Sequence, residues 1–445
     1  MRIANCGLPI LISVLGIAAP AAAQAPTLDA RVANLVAGVS EERLAADVQR
    51  LAGFGTRHTY ADTASPTRGI GAAREWIRAE FAKAGPRLQV AFDTYQIVAQ
   101  GPRLPRDVEL RNVVAVLPGA SPRRVYVSAH YDTVARRTDG TGGDTGFDWT
   151  RADNEAPGAN DDGSGTALVI ELARVFAQSG LQFDATLVFI AFAGEEQGLV
   201  GAKLHAQRAV AEGWRIDAVL NNDIVGNSHG GTGASEGDRV RVFSEGPEDS
   251  ASRQVARYVR RVAMRYQPGH DVTLVARADR FGRGGDHTAF NQHGFAGVRV
   301  TEANEAYQRQ HTVADTADGV DPSYLRRNAR VNAAALACLA LAPPAPAVVN
   351  DRRMPRLTRG ASGYDAALSW SASPGAVGYR IVWRQAWEAD WEHEMTVGAV
   401  TEASLSLLSV DDVVIGVAAI GPGGHESLVS AYVVPTRPET KIQTR

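Results

Sequence analysis

The chain reads as an α/β protein, a mostly parallel mixed sheet flanked by helices, followed by a small all-β sandwich. Three observations predict this. Between residues 86 and 303, short apolar runs alternate with segments of helical period. The run ATLVFIAFAG (185–194) is apolar throughout, as expected of a central strand buried on both faces. Beyond a Pro-rich stretch at 341–355 the pattern changes to short alternating strands without helical period.

The elements follow in order. Residues 1–23 read as a secretory signal: Arg2 gives the positive start, Leu8 to Ala19 the apolar stretch, and Ala21, Ala22 and Ala23 the small-residue cleavage site before Gln24. That stretch is shorter than the ~20 residues a bilayer span needs, and no later segment qualifies. The expectation is an exported protein, periplasmic or extracellular, without a membrane span. Cys6 lies in the signal, so Cys338 alone remains in the mature chain and no intrachain disulfide can form. In NAAALACLALA, Cys338 reads as a small buried hydrophobe.

Residues 24–342 form the expected main domain. Ser40 precedes two glutamates and an apolar period through Leu44, Val48 and Leu51, which marks a helix start. A second helix is expected from about Ile70 to Ala84. Strands are expected at 112–119, 123–132, 185–194, 217–226, 239–246, 271–278 and 297–303, with helices at 163–177, 250–265 and 322–341. Residues 343–355 read as a linker. Residues 356–437 carry five short strand patterns, DAALSWSAS, GYRIVWRQ, ASLSLLSV, VVIGVAAIG and SLVSAYVVP. This part resembles a fibronectin type III module, with Trp370 in the second strand and Tyr379 in the third; Val413 stands where such modules usually have a tyrosine. It is expected to act as a spacer or to bind a surface or polymer.

Net charge is −3 and charged residues make up 21% of the chain, so nothing points to nucleic acid. The chemistry lies instead where acids and histidines meet strand ends. HYD (130–132) closes one strand and NDDGSG (160–165) precedes a helix. Glu195 and Glu196 end the central strand, Asp223 ends VLNND, and His311 sits in the loop QHTVAD. Each has a plainer reading by itself, as a helix cap, a turn former or a solvated pair. In an α/β sheet, however, the carboxyl ends of strands converge. Two histidines with several carboxylates are the ligand stock of a di-metal hydrolytic centre for zinc, cobalt or manganese.

The ordered motifs HYDTV, PGANDDGSGTA, AGEEQGLVGA, NNDIVGN and QHTVADT resemble the M28 family of zinc peptidases, of the bacterial leucyl-aminopeptidase type, over residues 40–342. The resemblance implies a sheet carrying two zinc ions. His130 and Asp223 would hold one, Glu196 and His311 the other, and Asp161 both. It implies that Glu195 is the general base, taking a proton from the attacking water and passing it to the leaving amine. Asp132 would orient His130, Asp162 the bridging loop, and Asp315 the loop of His311. The peptide bond after Asp161 would be cis. GGDHTAF (284–290) resembles a further landmark of the family, with Gly285 in place of its usual serine; Asp286 and His287 read as structural. Where relatives often place an oxyanion-donating tyrosine, this chain has Gln310, with Tyr307 as the substitute donor.

GASEG (233–237) matches G-x-S-x-G, but that elbow needs a strand before it and a helix after it, and here it lies in a Gly-rich loop. The long loop 135–157 is expected to shape the substrate pocket. The expected function is a secreted di-zinc aminopeptidase acting on peptides. The alternatives are a carboxypeptidase or amidohydrolase on the same scaffold, a one-zinc cyclotransferase, or a receptor-like protein without activity.

Overall fold

The apolar runs pair into one eight-stranded sheet. The computed structural model describes residues 28–136, 146–147, 149–150 and 152–434; the expected signal at 1–23 and most of the 137–151 loop lie outside them. Helices α1 (Ala30–Ala37), α2 (Glu41–Ala52) and α3 (Gly69–Lys83) precede the sheet. Ser40 caps α2, its hydroxyl accepting from the Arg43 amide, as its position before an acidic first turn requires. The strands and helices that follow are β1 (Gln89–Ile97), β2 (Val108–Leu117), β3 (Arg123–His130), α4 (Gly163–Gln178), β4 (Thr186–Phe192), α5 (Val200–Ala211), β5 (Arg215–Asn222), β6 (Arg239–Ser244), α6 (Ala251–Tyr266), β7 (Asp271–Val275), α7 (Asp286–Gln292), β8 (Gly297–Glu302) and α8 (Pro322–Leu341).

The strand order is β1-β2-β4-β3-β5-β8-β6-β7. β4, β3, β5 and β8 run parallel, as do β6 and β7, while the β1–β2, β2–β4 and β6–β8 pairs are antiparallel. Period-2 alternation divides the central strands between two cores. Leu187, Phe189 and Ala191 of β4 join Val125, Val127 and Ala129 of β3 in the large core under α4 and α8. Val188, Ile190 and Phe192 join Tyr126 in a smaller core covered by α5 and α7. That double burial explains the unbroken apolar run at 185–194.

From β3 the chain passes through α4 to β4 on one side of it, then through α5 to β5 on the other. The flanking helices lie on opposite faces, so a crevice opens beyond the carboxyl end of β3, where open α/β sheets place their ligands.

The C-terminal residues form two antiparallel sheets. One contains β9 (Leu357–Thr358), β10 (Ala366–Ser369) and β13 (Glu402–Leu405), in the order β13-β10-β9. The other contains β11 (Gly378–Gln385), β12 (His393–Val397), β14 (Val413–Ile420) and β15 (Ser430–Ala431), in the order β12-β11-β14-β15. Trp370, Tyr379, Ile381, Ile415, Val417 and Tyr432 fill the core between them. The Pro-rich segment is held to this unit: Val348 is buried in its core and the Ala347 carbonyl accepts from the Ser371 amide at 2.8 Å. Cys338 is a free, buried thiol in α8. Among the described residues no helix is long and apolar enough to cross a membrane.

Candidate metal centre

Six expected residues converge on the crevice at β3. His130 is the last residue of β3, Asp223 follows β5, and Glu195 and Glu196 follow β4. Asp161 precedes α4, and His311 comes in from the loop after β8 with φ +57°. Asp161 lies between the two histidines. Its Oδ1 is 3.3 Å from His130 Nε2 and its Oδ2 is 3.0 Å from His311 Nε2. His130 Nε2 is also 3.7 Å from Asp223 Oδ1, and His311 Nε2 is 3.2 Å from Glu196 Oε1.

The donor atoms of Asp161, Glu196 and His311 all lie within 4.8 Å of one another, as do those of His130, Asp162 and Asp223. Asp162, however, is already engaged. Its Oδ1 accepts from the amides of Gly165 and Ile224 and its Oδ2 from that of His130, at 2.9, 3.2 and 3.1 Å. It ties together the backbones that carry His130 and Asp223 and caps α4. Gly165 leaves no room for a Cβ, which would fall inside contact distance of the Asn222 carbonyl and of the Asp162 carboxylate. The Asp161–Asp162 peptide bond is cis.

Asp132 and Asp315 are also anchors. The His130 Nδ1 partner is the backbone carbonyl of Asp132, at 3.1 Å, while its carboxylate stands 3.7 Å off. That carboxylate instead accepts from the amides of Glu195 and Glu196, at 3.1 and 3.2 Å. Asp315 accepts from the amides of Asn160 and Asp161, both at 3.0 Å, and so joins the His311 loop to the Asp161 loop. Gln310 is buried and its amide is engaged, donating to Glu305 at 3.0 Å and accepting from Arg283 at 3.0 Å. Tyr307 is 56% exposed. Ser235 of the G-x-S-x-G match lies in a loop paired with His229, without the strand–helix turn the elbow requires.

Charge makes the need for cations explicit. Burial opposes a charged His130, yet the carboxylates of Asp132, Asp161 and Asp223 raise its pKa well above the usual value. Burial likewise opposes a charged His311, but Glu196 and Asp161 push it up to about 10. Burial, with repulsion from Glu196, Asp223 and Asp286, raises Glu195 well above the carboxylate range. Asp286 is pushed up to about 8 by burial and by Asp132 and Asp223, and neither of its oxygens has a hydrogen-bond partner. Asp161 Oδ2, Glu196 Oε1 and His311 Nδ1 are also buried without one. A buried centre with this excess of carboxylate and orphaned acceptors suits divalent cations.

Three residues of this assembly were not singled out from the sequence. Arg299, fully buried in β8, places Nη1 2.6 Å from Asp223 Oδ2; it outweighs burial and holds that carboxyl below its usual range. A charge inside the apolar strand GVRVTE is the signal that marks it, because a buried charge needs a partner. Arg57, also fully buried, donates to the carbonyls of Leu51, Tyr131, Pro157 and Gly158, stapling the loops behind His130 and Asp161. Asn112 of β2 accepts from the Ala193 amide at 3.0 Å and donates to the Gly201 carbonyl at 3.1 Å, closing the base of the Glu195–Glu196 loop. His287 Nε2 is 2.8 Å from the Ala278 carbonyl, the structural place expected of it.

A mostly parallel sheet with a buried His–carboxylate centre at its topological switch is the setting of a metal-dependent site. The model of peptidase family M28 matches residues 112–336. A probable zinc metalloprotease of Pyricularia oryzae is 38% identical, covering 91% of this chain and 84% of its own. One of Leptosphaeria maculans is 36% identical over 90% of this chain and 96% of its own. The chain belongs to peptidase family M28, and it is a metallopeptidase. Among solved structures, the Legionella pneumophila LapA aminopeptidase superposes with TM-score 0.53 at 19% identity, covering 70% of this chain and 74% of that one. A Porphyromonas gingivalis glutaminyl cyclase gives 0.52 at 18%, covering 67% and 98%. At such identities the likeness is one of fold.

Proposed function

We propose that this chain is an exported di-zinc aminopeptidase of the leucyl type, followed by a fibronectin type III-like sandwich. The observation that carries the two-ion reading is the Asp161 carboxylate, whose oxygens reach Nε2 of His130 on one side and Nε2 of His311 on the other. His130 and Asp223 would hold one ion, Glu196 and His311 the other, with Asp161 shared. The relatives' description as zinc metalloproteases supports zinc as the metal. When bound, the ions supply Lewis acidity that polarises the scissile carbonyl and lowers the pKa of the attacking water.

The chain's own residues do the rest. Glu195, half-buried and oriented by Asp132 through its backbone amide, would be ionised once divalent cations offset its carboxylate neighbours, and so accept the proton of the water and deliver it to the departing amine. Arg299 keeps Asp223 ionised. Asp162, Asp315 and Arg57 fix the loops, so that little reorganisation remains for the reaction itself. The strand orders of the two C-terminal sheets support the sandwich reading.

The test is a panel of aminoacyl chromogenic substrates set against N-blocked peptides, with metal content measured in parallel. Cleavage of free-amine substrates, abolished by a chelator and restored by two equivalents of zinc, is the expected result. Cleavage of blocked peptides alone, or activity that resists the chelator, overturns it.

A further inference from the structure

The two histidines of the centre are held unequally. His130 Nδ1 meets the Asp132 carbonyl at 3.1 Å, the kind of outer partner that fixes the ring of a metal-binding histidine. His311 Nδ1 is buried and makes no hydrogen bond. His311 also sits in the left-handed region, at φ +57°, which residues with a side chain seldom occupy. Its ring is therefore oriented by something other than an acceptor.

Phe147, from the loop between β3 and α4, stands against that ring. The two ring centroids are 5.1 Å apart at an interplanar angle of 76°, the edge-to-face arrangement that aromatic pairs favour. The backbone holds them together: the Arg136 amide donates to the His311 carbonyl at 2.9 Å, and Arg136 pairs antiparallel with Phe147. Trp149 carries the contact onward. Its ring centroid lies 5.2 Å from that of Phe147, and Arg103 Cζ stands 5.2 Å over it, within cation–π range. Arg103 Nη1 in turn donates to the Glu196 carbonyl at 3.5 Å. The contacts thus begin on His311 and end on Glu196, the two residues assigned to one and the same ion. His130 and Asp223 are fixed by other groups, Asp132, Asp162 and Arg299. We propose that Phe147 is the positioning residue of His311, and that Phe147 and Trp149, tied to Glu196 through Arg103, set the affinity of the Glu196–His311 ion without affecting the other. The inference rests on the two-ion reading above.

The test is withdrawal of zinc from the loaded full-length protein by a competing chromogenic chelator, which yields a dissociation constant for each ion. Phe147→Ala weakens one of the two by roughly tenfold or more, the scale of losing an outer partner of a metal ligand, and leaves the other within about twofold. Phe147→Tyr, which keeps the ring, holds both constants at the parent's values. Trp149→Ala weakens the same constant as Phe147→Ala, by less. In a Glu196→Gln background, where that ion is expected to be lost, Phe147→Ala changes nothing further. Weakening of both ions together or of neither, equal losses in Phe147→Ala and Phe147→Tyr, or a further loss in the Glu196→Gln background overturns the proposal. A parent chain that binds a single zinc overturns the two-ion reading and this inference with it. Two zinc ions in the parent, with variants that do not distinguish them, overturn this inference alone.

Discussion

Glu195 and Glu196 share one turn and one anchor in Asp132, yet their side chains have different neighbours. Glu196 Oε1 is 3.2 Å from His311 Nε2, whereas Glu195 belongs to neither group of converging donor atoms. Its carboxyl feels Glu196, Asp223 and Asp286 instead. Glu195→Gln is therefore expected to retain two zinc equivalents while kcat falls roughly 100- to 10,000-fold, the usual worth of a positioned general base. Glu196→Gln is expected to lose one equivalent. Elemental analysis alongside steady-state kinetics checks both, and metal loss in the Glu195 variant would reverse the roles. At this scale the sequence was informative where residue type and strand end coincide, at His130, Glu195, Glu196 and Asp223; Asp161 before a helix and His311 in a loop counted only as members of the set, and the resemblance assigned the roles. Arg57 and Arg299 did not, because a buried arginine is written like an exposed one until its partners are known. The roles of the anchors were legible only in part. Asp132 reads as a partner for the His130 ring, but in the fold its carboxylate lies closer to the two glutamate amides.

Among elements, the loop between β4 and α5 depends on a neighbour that spacing does not reveal. Asn112 of β2 bonds both ends of its base, and Asp93 stands behind Asn112 Nδ2 at 3.4 Å. Gly201 leaves no room for a Cβ, which would fall inside contact distance of Asn112 and of the Ala193 carbonyl. Asn112→Ala strands the Ala193 amide and loosens the loop without touching any residue of the centre. The expected outcome is a roughly tenfold lower kcat with KM and zinc content held, on the scale of one lost buried hydrogen bond; zinc loss or a rise in KM alone would refute it. Strand β1 escaped the sequence reading because QVAFDTYQI is an edge strand with charged and exposed positions. Helix α5 escaped because its buried residues are Gly201, Ala202, His205, Ala206 and Ala209, too small or too polar to print a hydrophobic period, and α7 because seven residues are too few to show one. Helix α2 carries one source of pH dependence. Burial, with the nearby carboxylates of Glu80 and Glu171, raises Asp47 to about 7 against the pull of Arg43 and Arg174. The folded chain thus holds a proton that the unfolded chain releases near pH 4. The associated stability is present in full below that pH and lost as pH rises through about 7. Asp47→Asn is expected to flatten this fall and to be more stable than the parent by on the order of 2 kcal/mol at pH 8. The difference should be smaller at pH 5, as denaturant melts at the two values would show.

At the scale of the molecule, the C-terminal sheets are anchored to the peptidase part at the start and the middle of α6 and at the cap of α1. Arg384 of β11 is fully buried, and its Nη2 sits 2.6 Å from Asp249 at the start of that helix. The Tyr258 hydroxyl donates to the Glu426 carbonyl at 3.0 Å, and His425 Nε2 lies 2.8 Å from Asp29, the cap of α1. A Pro-rich segment between two units reads, in sequence, as a linker; these contacts, invisible to local pattern because they join residues more than a hundred positions apart, fix the two units to each other. The consequence is thermodynamic coupling. Arg384→Met leaves the Asp249 carboxylate without its nearest cation, and breaking a buried ion pair costs about 3–5 kcal/mol. If the sheets and the peptidase unfold together, that cost is felt at the metal centre, more than a domain's width of chain away. Calorimetry on the full chain should then show one transition, and the substitution should lower both its midpoint and the temperature at which peptidase activity is lost. Two separate transitions, with the activity loss unmoved by Arg384→Met, would mean that the sheets are merely tethered.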